Sequence, residues 1–225
     1  MHQVRAPTQF TYVLRFDRNG MVFEPSRYVS VGIRGDINMR EYSVYSSLQD
    51  DYVEILVKEV DEGYVSWKLR RLQPGDEIEA DGPFGFFAIT PDVRSRGQVV
   101  FIATGTGISP FHCFARAYPD LDYRVLHAVR TLEDRYDKEV FDALRLTTCV
   151  GREVLDPEAE MSNGAGDATP PALFAGPVTD YLRTNPVSPE THCYLCGNCD
   201  MIYESFDILK RHGVPPKQLF AEVYF

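Results

Sequence analysis

The chain has 225 residues, 44% of them hydrophobic, and a formal charge of −10, enough to bury a core in one large domain or two small ones. The negative balance argues against a nucleic-acid or anionic-membrane partner, either of which needs a basic face to displace counterions. No charged and apolar leader and no bilayer-length apolar run is present, and five cysteines with three crowded at Cys193, Cys196 and Cys199 fit reduced thiols. The expectation is a cytoplasmic globular protein without structural disulfides.

In chain order, short β-rich runs at Phe10–Phe16, Tyr28–Ile33, Tyr42–Ser46 and Tyr52–Val60 are separated by the turn signals Asn19-Gly20, Pro25-Ser26 and Gly35-Asp36. That spacing predicts an antiparallel barrel or sandwich without choosing between them. Within the third run, Arg40-Glu-Tyr42-Ser43-Val-Tyr45-Ser46-Ser47 offers two flat aromatic faces, three hydroxyls and a bidentate cation. A planar, phosphorylated ligand suits that set; an ordinary half-buried strand accounts for it equally.

Gly63 to Leu72 changes period, with Val65, Leu69 and Leu72 at i, i+4 and i+7 and Lys68, Arg70 and Arg71 between them, which predicts a short amphipathic helix. Gln73-Pro74-Gly75-Asp76 has the letters of a type II turn. The phenylalanines of Gly82-Pro83-Phe84-Gly85-Phe86-Phe87 are assigned to core, and Thr90–Gly97, polar and bounded by Pro91 and Gly97, reads as the linker between two domains.

Val99–Ala103 is an uninterrupted apolar run, as for a strand buried on both faces of a parallel sheet. Thr104-Gly105-Thr106-Gly107-Ile108-Ser109-Pro110 follows, with Ser109 placed to cap a helix whose face is Phe111, Phe114, Ala115 and Tyr118. Strand, glycine turn and helix stand in the order of a phosphate cradle. The segment lacks both the Gly-Lys-Ser/Thr ending of a P-loop and the third glycine of Gly-x-Gly-x-x-Gly. A second strand at Tyr123–Val129, helical spacing over Glu133–Leu144 and a third strand at Leu146–Val150 continue a βαβ rhythm. Arg130, at a strand's C-terminal end, is a candidate for nucleotide phosphate; His127 reads as a core or strand-end histidine. Leu155–Pro171 reads as a mobile acidic loop.

Cys193-x-x-Cys196-x-x-Cys199 suggests a metal cluster, yet a fourth thiolate would have to come from distant Cys113 or Cys149, and no metal is expected. A Cys–His hydrolase built on Cys196 with His192 or His212 has no visible third partner. Asn198 or Asp200 is placed to start a helix through Ile202, Phe206 and Leu209, and Leu219–Phe225 closes the chain as a strand.

Taken together, Arg40-x-Tyr42-Ser43-x-x-Ser46, Gly63-x-x-Ser66, Gly105-Thr106-Gly107-Ile108-Ser109-Pro110-Phe111, Cys196-Gly197-x-x-x-Met201 and Glu222-Val223-Tyr224 resemble, in order, the motifs of the ferredoxin–NADP reductase family. The resemblance covers most of residues 40–225. It implies a six-stranded Greek-key flavin barrel over residues 1–91, a linker at 92–97 and an α/β parallel-sheet nucleotide domain over 98–225, with FAD on the first, NADP(H) or NAD(H) on the second, and the two meeting in the cleft between them. It assigns Tyr42 to the isoalloxazine face, Ser43 to its N5 and Arg40 to the pyrophosphate, with Tyr45 lining the same site, and Gly63, Val65 and Ser66 to the flavin phosphates. Thr106 and Gly107 fall on the pyridine-nucleotide pyrophosphate, Arg130 and Arg152 on nucleotide phosphate. Cys196 lies by the nicotinamide with Glu222 nearby, Met201 of the same motif is counted with the cofactor-binding residues, and Tyr224 or Phe225 stacks on the flavin. Ser43, Cys196, Glu222 and Tyr224 are the residues assigned to catalysis.

Three departures matter. Pro25-Ser26-Arg27 replaces the family's Pro-Gly-Gln, Gly151-Arg152-Glu153 replaces Ser-Arg-Glu, and Pro177 stands where an arginine is common; the last two leave NADPH against NADH open. The implied activity is hydride exchange between NAD(P)H and FAD followed by single-electron transfer to ferredoxin or flavodoxin, for which Lys68, Arg70 and Arg71, with Arg94 and Arg96, form the candidate dock. The alternatives are an NADH-dependent supply component of an oxygenase, a free-flavin reductase, or a non-catalytic nucleotide-binding module.

Overall fold

The computed structural model describes residues 3–60, 63–151 and 172–224, apart from the side chains of Gln3 and Arg96. The chain divides into two compact units, residues 1–88 with 109–119 and residues 89–108 with 120–225.

In the first unit, β1 (Gln3–Arg5), β2 (Thr11–Asp17) and β5 (Tyr52–Lys58) form one antiparallel sheet, and β4 (Met39–Ser43), β3 (Tyr28–Ile33) and β6 (Ile78–Phe84) form another. β5 passes over two intervening strands to lie beside β2, a Greek-key connection. Period-two side chains build the core: Tyr12, Leu14 and Phe16 from β2 meet Val53, Ile55 and Val57 from β5, and Val65 and Leu69 of α1 (Tyr64–Arg70) close one end. β4 stops at Ser43, short of the expected Ser46, because the chain there changes sheet. Val44 bridges Ile55, and the Tyr45 N–H donates to the Glu54 carbonyl at 2.8 Å. The Gln73–Asp76 turn closes with Asp76 N–H on the Gln73 carbonyl at 3.0 Å and Gly75 at φ +106°.

The second unit is one parallel six-stranded sheet in the order β10 (Ala172–Ala175), β9 (Leu146–Val150), β8 (Tyr123–Val129), β7 (Val99–Thr104), β11 (His192–Asn198), β12 (Leu219–Tyr224). One face carries Val100, Ile102, Leu126, Cys193 and Leu195 against α4 (Val178–Thr184) and α5 (Cys199–Arg211), through Val178, Leu182, Ile202 and Leu209. The opposite face carries Phe101, Ala103, His127, Thr148, Cys196 and Glu222, because successive side chains alternate.

Within the stretch read as a linker, Pro91–Arg96 forms a short helix, α2, capped by Thr90 and seated on buried Val93. The structure corrects two expectations about elements. Glu133–Leu144 is not a helix but holds two single 3₁₀ turns, Leu132–Asp134 and Lys138–Val140, interrupted by Asp137 in the left-handed region at φ +41°. Its apolar residues do not share a face, since Tyr136 and Phe141 are buried and Leu144 is 78% exposed. Phe84 and Phe86 are not core either, at 40% and 97% exposure; Phe87 alone of the three is buried, against Phe111 and Phe114 of α3 (Ser109–Ala117) in the first unit. Leu155–Pro171 lies outside the described residues. Among those described, no helix is long and apolar enough to cross a membrane.

Candidate functional site

In the first unit, Arg40 and Tyr42 stand two residues apart on β4 and share a face. Arg40 is exposed, with one guanidinium N–H on the Met39 carbonyl at 2.8 Å. Tyr42 is half-buried and packs on the barrel core; burial pushes its phenol up to about 12, so it remains protonated. Tyr12 lies close enough to feel Tyr42, and its hydroxyl donates to the Ser66 carbonyl at 2.6 Å. Tyr42 and the start of α1 are thereby held in one cluster. At that start a Cβ on Gly63 would fall 2.6 Å from Ser66 Oγ and 2.9 Å from the Val60 carbonyl. Ser66 donates to the Gly63 carbonyl at 3.2 Å, and Val65 points into the core. Ser43 is buried at the end of β4.

Tyr45 is placed differently from the expectation. It is fully buried, its ring stacks on His112 of α3 at 3.7 Å, and its carbonyl lies 2.7 Å from His112 Nδ1. Tyr45 therefore anchors α3 rather than offering an open aromatic face. The partner, His112, carries no sequence signal beyond its place one turn into a helix.

The expected cationic dock is largely neutralised within its own unit. Lys68 pairs with Asp36 at 3.0 Å, Arg70 with Glu59 at 2.9 Å, and Arg71 reaches Glu59 at 3.8 Å while lying 3.7 Å over the Trp67 ring. The Tyr64, Asn38 and Lys68 donors on Asp36 hold its carboxyl well below the usual range.

In the second unit the sheet order reverses at β7, with β8 on one side and β11 on the other, and ligands of open α/β sheets bind at the carboxyl ends beside such a reversal. The glycine turn follows β7 there and Cys196-Gly197 ends β11. The two backbones touch: a Cβ on Gly107 would fall 2.6 Å from the Cys196 carbonyl carbon and 2.8 Å from Gly197 Cα. Gly197, at φ +124°, would place one 2.8 Å from the Thr104 carbonyl and closer still to its hydroxyl. Thr104 Oγ1 accepts from the Asn198 N–H at 2.8 Å, and Asn198 caps α5 by accepting from the Asp200 and Met201 N–H groups at 3.0 and 3.2 Å. Met201 is buried in the sheet–helix core, supporting the site from behind.

Cys196 is fully buried and registers opposite Glu222 on β12. Burial and the neighbouring Glu222 raise its thiol well above the ordinary value, against a hydrogen bond from Tyr224 that lowers it. A neutral thiol is no hydrolase nucleophile, and His192, four residues earlier on the same strand, is about 13 Å away at ~3.3 Å per residue. Cys196, Glu222 and Tyr224 are thus brought together at one strand end; Ser43, Tyr42 and Arg40 belong to the other unit. Thr106 lies in the 3₁₀ turn Gly105–Ile108, and Arg130 is exposed immediately after β8. Arg152 and Phe225 lie outside the described residues. All five cysteines are free thiols.

His127 is buried on β8 with Nε2 2.9 Å from the Gly105 carbonyl; since a carbonyl only accepts, Nε2 carries the proton. Burial pushes the imidazole down to about 4, Asp134 and the Gly105 carbonyl opposing and Arg135 assisting. An unfolded chain titrates this group near ~6.5, so the stabilisation is complete above that pH and is lost as pH falls through the folded value, about 3 kcal/mol in full. Urea unfolding at pH 7 and pH 4 is expected to show this loss in the wild type and not in His127→Gln; an equal loss in both would refute it.

Comparison with known proteins agrees with this geometry. Residues 7–89 match the oxidoreductase FAD-binding domain. The chain is 28% identical over 215 residues to the reductase subunit of an aromatic O-demethylase from an Amycolatopsis species, covering 91% of this chain but 61% of that protein. It is 27% identical over 200 residues to a flavodoxin/ferredoxin–NADP reductase from Shigella flexneri, covering 81% of this chain and 77% of the relative. The crystal structure of a ferredoxin–NADP reductase from Neisseria gonorrhoeae with bound FAD and NADP superimposes with a TM-score of 0.82 at 22% identity, over 99% and 96% of the two chains. The antiparallel strands of the first unit fall within the match to the FAD-binding domain, and the chain as a whole has the fold of the Neisseria reductase. The chain is similar to proteins of the ferredoxin–NADP reductase family, with residues 7–89 matching the FAD-binding domain.

The residues of the first unit fit FAD. Arg40 offers a bidentate cation, Tyr42 a half-buried aromatic plane on the same strand face, and Gly63 a close backbone approach that a side chain would fill.

Proposed function

We propose that the chain oxidises NADPH or NADH at the β7–β11 reversal and delivers the electrons singly to a ferredoxin or flavodoxin. The observation that carries this is the backbone contact of Gly107 with Cys196-Gly197 beside Glu222 and Tyr224. It leaves a side-chain-free strand end flanked by a neutral thiol, an acid and a phenol. Bound FAD supplies two-electron acceptance from nicotinamide and one-electron release.

In this reading Arg40 binds the flavin pyrophosphate with the Gly63, Val65 and Ser66 turn, Tyr42 orients the ring, and Ser43 hydrogen-bonds its edge. Thr106, Gly107 and Arg130, with Arg152, hold the pyridine-nucleotide phosphates. Cys196 and Glu222 orient the nicotinamide, and Tyr224, with Phe225, covers the site until it enters. The neutral state of Cys196 suits this role, since a thiolate would desolvate a charge beside the reacting carbon. Its five free thiols suit a reducing cytoplasm.

A second reading, electron supply to an oxygenase component, is favoured by the Amycolatopsis relative, which the chain covers over 61% of its length. Ferricyanide reduction driven by NADPH or NADH tests the shared core of both. Cys196→Ala is expected to lower kcat by about tenfold or more with flavin content unchanged, as when one group stabilising a transition state is removed. Full kcat in that variant would remove Cys196 from the reaction, and no reduction of ferricyanide by either nucleotide would overturn the function.

A further inference from the structure

We propose that His127 is a positioning residue of the nucleotide turn, whose Nε2–H holds the Gly105 carbonyl and so sets the Gly105–Thr106 peptide to turn its N–H, and not its oxygen, toward the dinucleotide phosphates. The proposal rests on the reading that a pyridine nucleotide binds at this turn.

In a trans peptide the carbonyl and the following N–H point in opposite directions. A hydrogen bond that draws the Gly105 oxygen toward β8 therefore sends the Thr106 N–H to the other side. Nothing in Gly105 itself enforces this. It sits at φ +52° with no atom within 4 Å of where a Cβ would be, and glycine takes either sign of φ at little cost. Rotated half a turn, the same peptide would present an oxygen to an anion.

The ring is built to prevent that rotation. His127 is in register with Ala103 on β7 and Thr148 on β9, and the small side chain of Ala103 on the shared face leaves room to reach across β7 to the turn that follows it. The histidine is 3% exposed, its ring centroid 6.1 Å from that of Tyr136. The Thr148 hydroxyl beside it is buried without a hydrogen-bond partner among the described residues, so the Gly105 carbonyl is the contact that orients the ring.

The test compares His127→Leu, which removes the donor, with His127→Gln, whose amide nitrogen falls near the position of Nε2. Flavin-loaded protein is assayed for KM of NADPH and NADH, for kcat, and for competitive inhibition by inorganic pyrophosphate. His127→Leu is expected to raise KM and the pyrophosphate inhibition constant about tenfold, more than it lowers kcat, and His127→Gln to restore most of both. If His127→Leu does not fold, His127→Asn, too short to reach Gly105, replaces it. Unchanged KM and pyrophosphate inhibition in the donor-less variant, or equal losses in His127→Gln, would overturn the proposal. Absence of nucleotide binding by the wild type would instead overturn the functional reading.

Discussion

Gly197→Ala is expected to destabilise the second unit by about 3 kcal/mol and to remove most nucleotide oxidation, while flavin stays bound to the first. Two costs add. The residue sits at φ +124°, where strain amounts to about 1 to 3 kcal/mol, and the new methyl would meet the Thr104 carbonyl at 2.8 Å and its hydroxyl closer still, overpacking of about 1 to 3 kcal/mol. Gly107→Ala carries the second cost alone, its Cβ falling 2.6 Å from the Cys196 carbonyl carbon. Gly105→Ala is the control: at φ +52° in open space it should cost only about 1 to 2 kcal/mol. Denaturant unfolding should order the three variants in that sequence. Equal midpoints for Gly197→Ala and the wild type would mean that the two backbones do not meet as described.

Tyr42→Ala should weaken FAD binding about 10- to 100-fold, since an aromatic stacking partner contributes roughly 1 to 3 kcal/mol. Tyr42→Phe should retain nearly all of the affinity, because the ring and not the hydroxyl supplies the plane. Tyr45 discriminates this from a general sensitivity of the motif. Its ring is already stacked on His112 inside the first unit, so Tyr45→Leu, which removes the ring, should leave the flavin affinity of the folded protein within about twofold. Equilibrium dialysis of the apoprotein against FAD checks all three. Equal losses at both tyrosines would show that the segment acts through the fold and not through a flavin contact.

These contrasts also mark what could be read from the chain. β3, β8 and β9 begin and end where their apolar patterns do, because each is a sheet strand with clean turn signals at its ends. β4 ends at Ser43, short of its apolar pattern, because the change of sheet at Val44 leaves no compositional trace. The 133–144 stretch had helical spacing without a shared face, and a left-handed Asp137 is not legible in the letters. At the site, glycines 107 and 197 were visible as motif positions, yet the reason for them is a contact between residues 90 positions apart in sequence. Periodicity sees only neighbours. The same limit hid His127, whose partner Gly105 is 22 residues away, and His112, which holds Tyr45 across 67. The basic helix face has the letters of a dock, yet Asp36 and Glu59, which pair with it, are remote in sequence and adjacent in space.

The most direct test of the central claim is an anaerobic visible spectrum of the purified protein before and after addition of NADPH and, separately, NADH. A yellow chromophore that bleaches within the turnover time is the predicted result, and the faster nucleotide identifies the preferred donor. A protein that neither carries nor takes up FAD, or whose bound flavin stays oxidised with both nucleotides, would contradict the account.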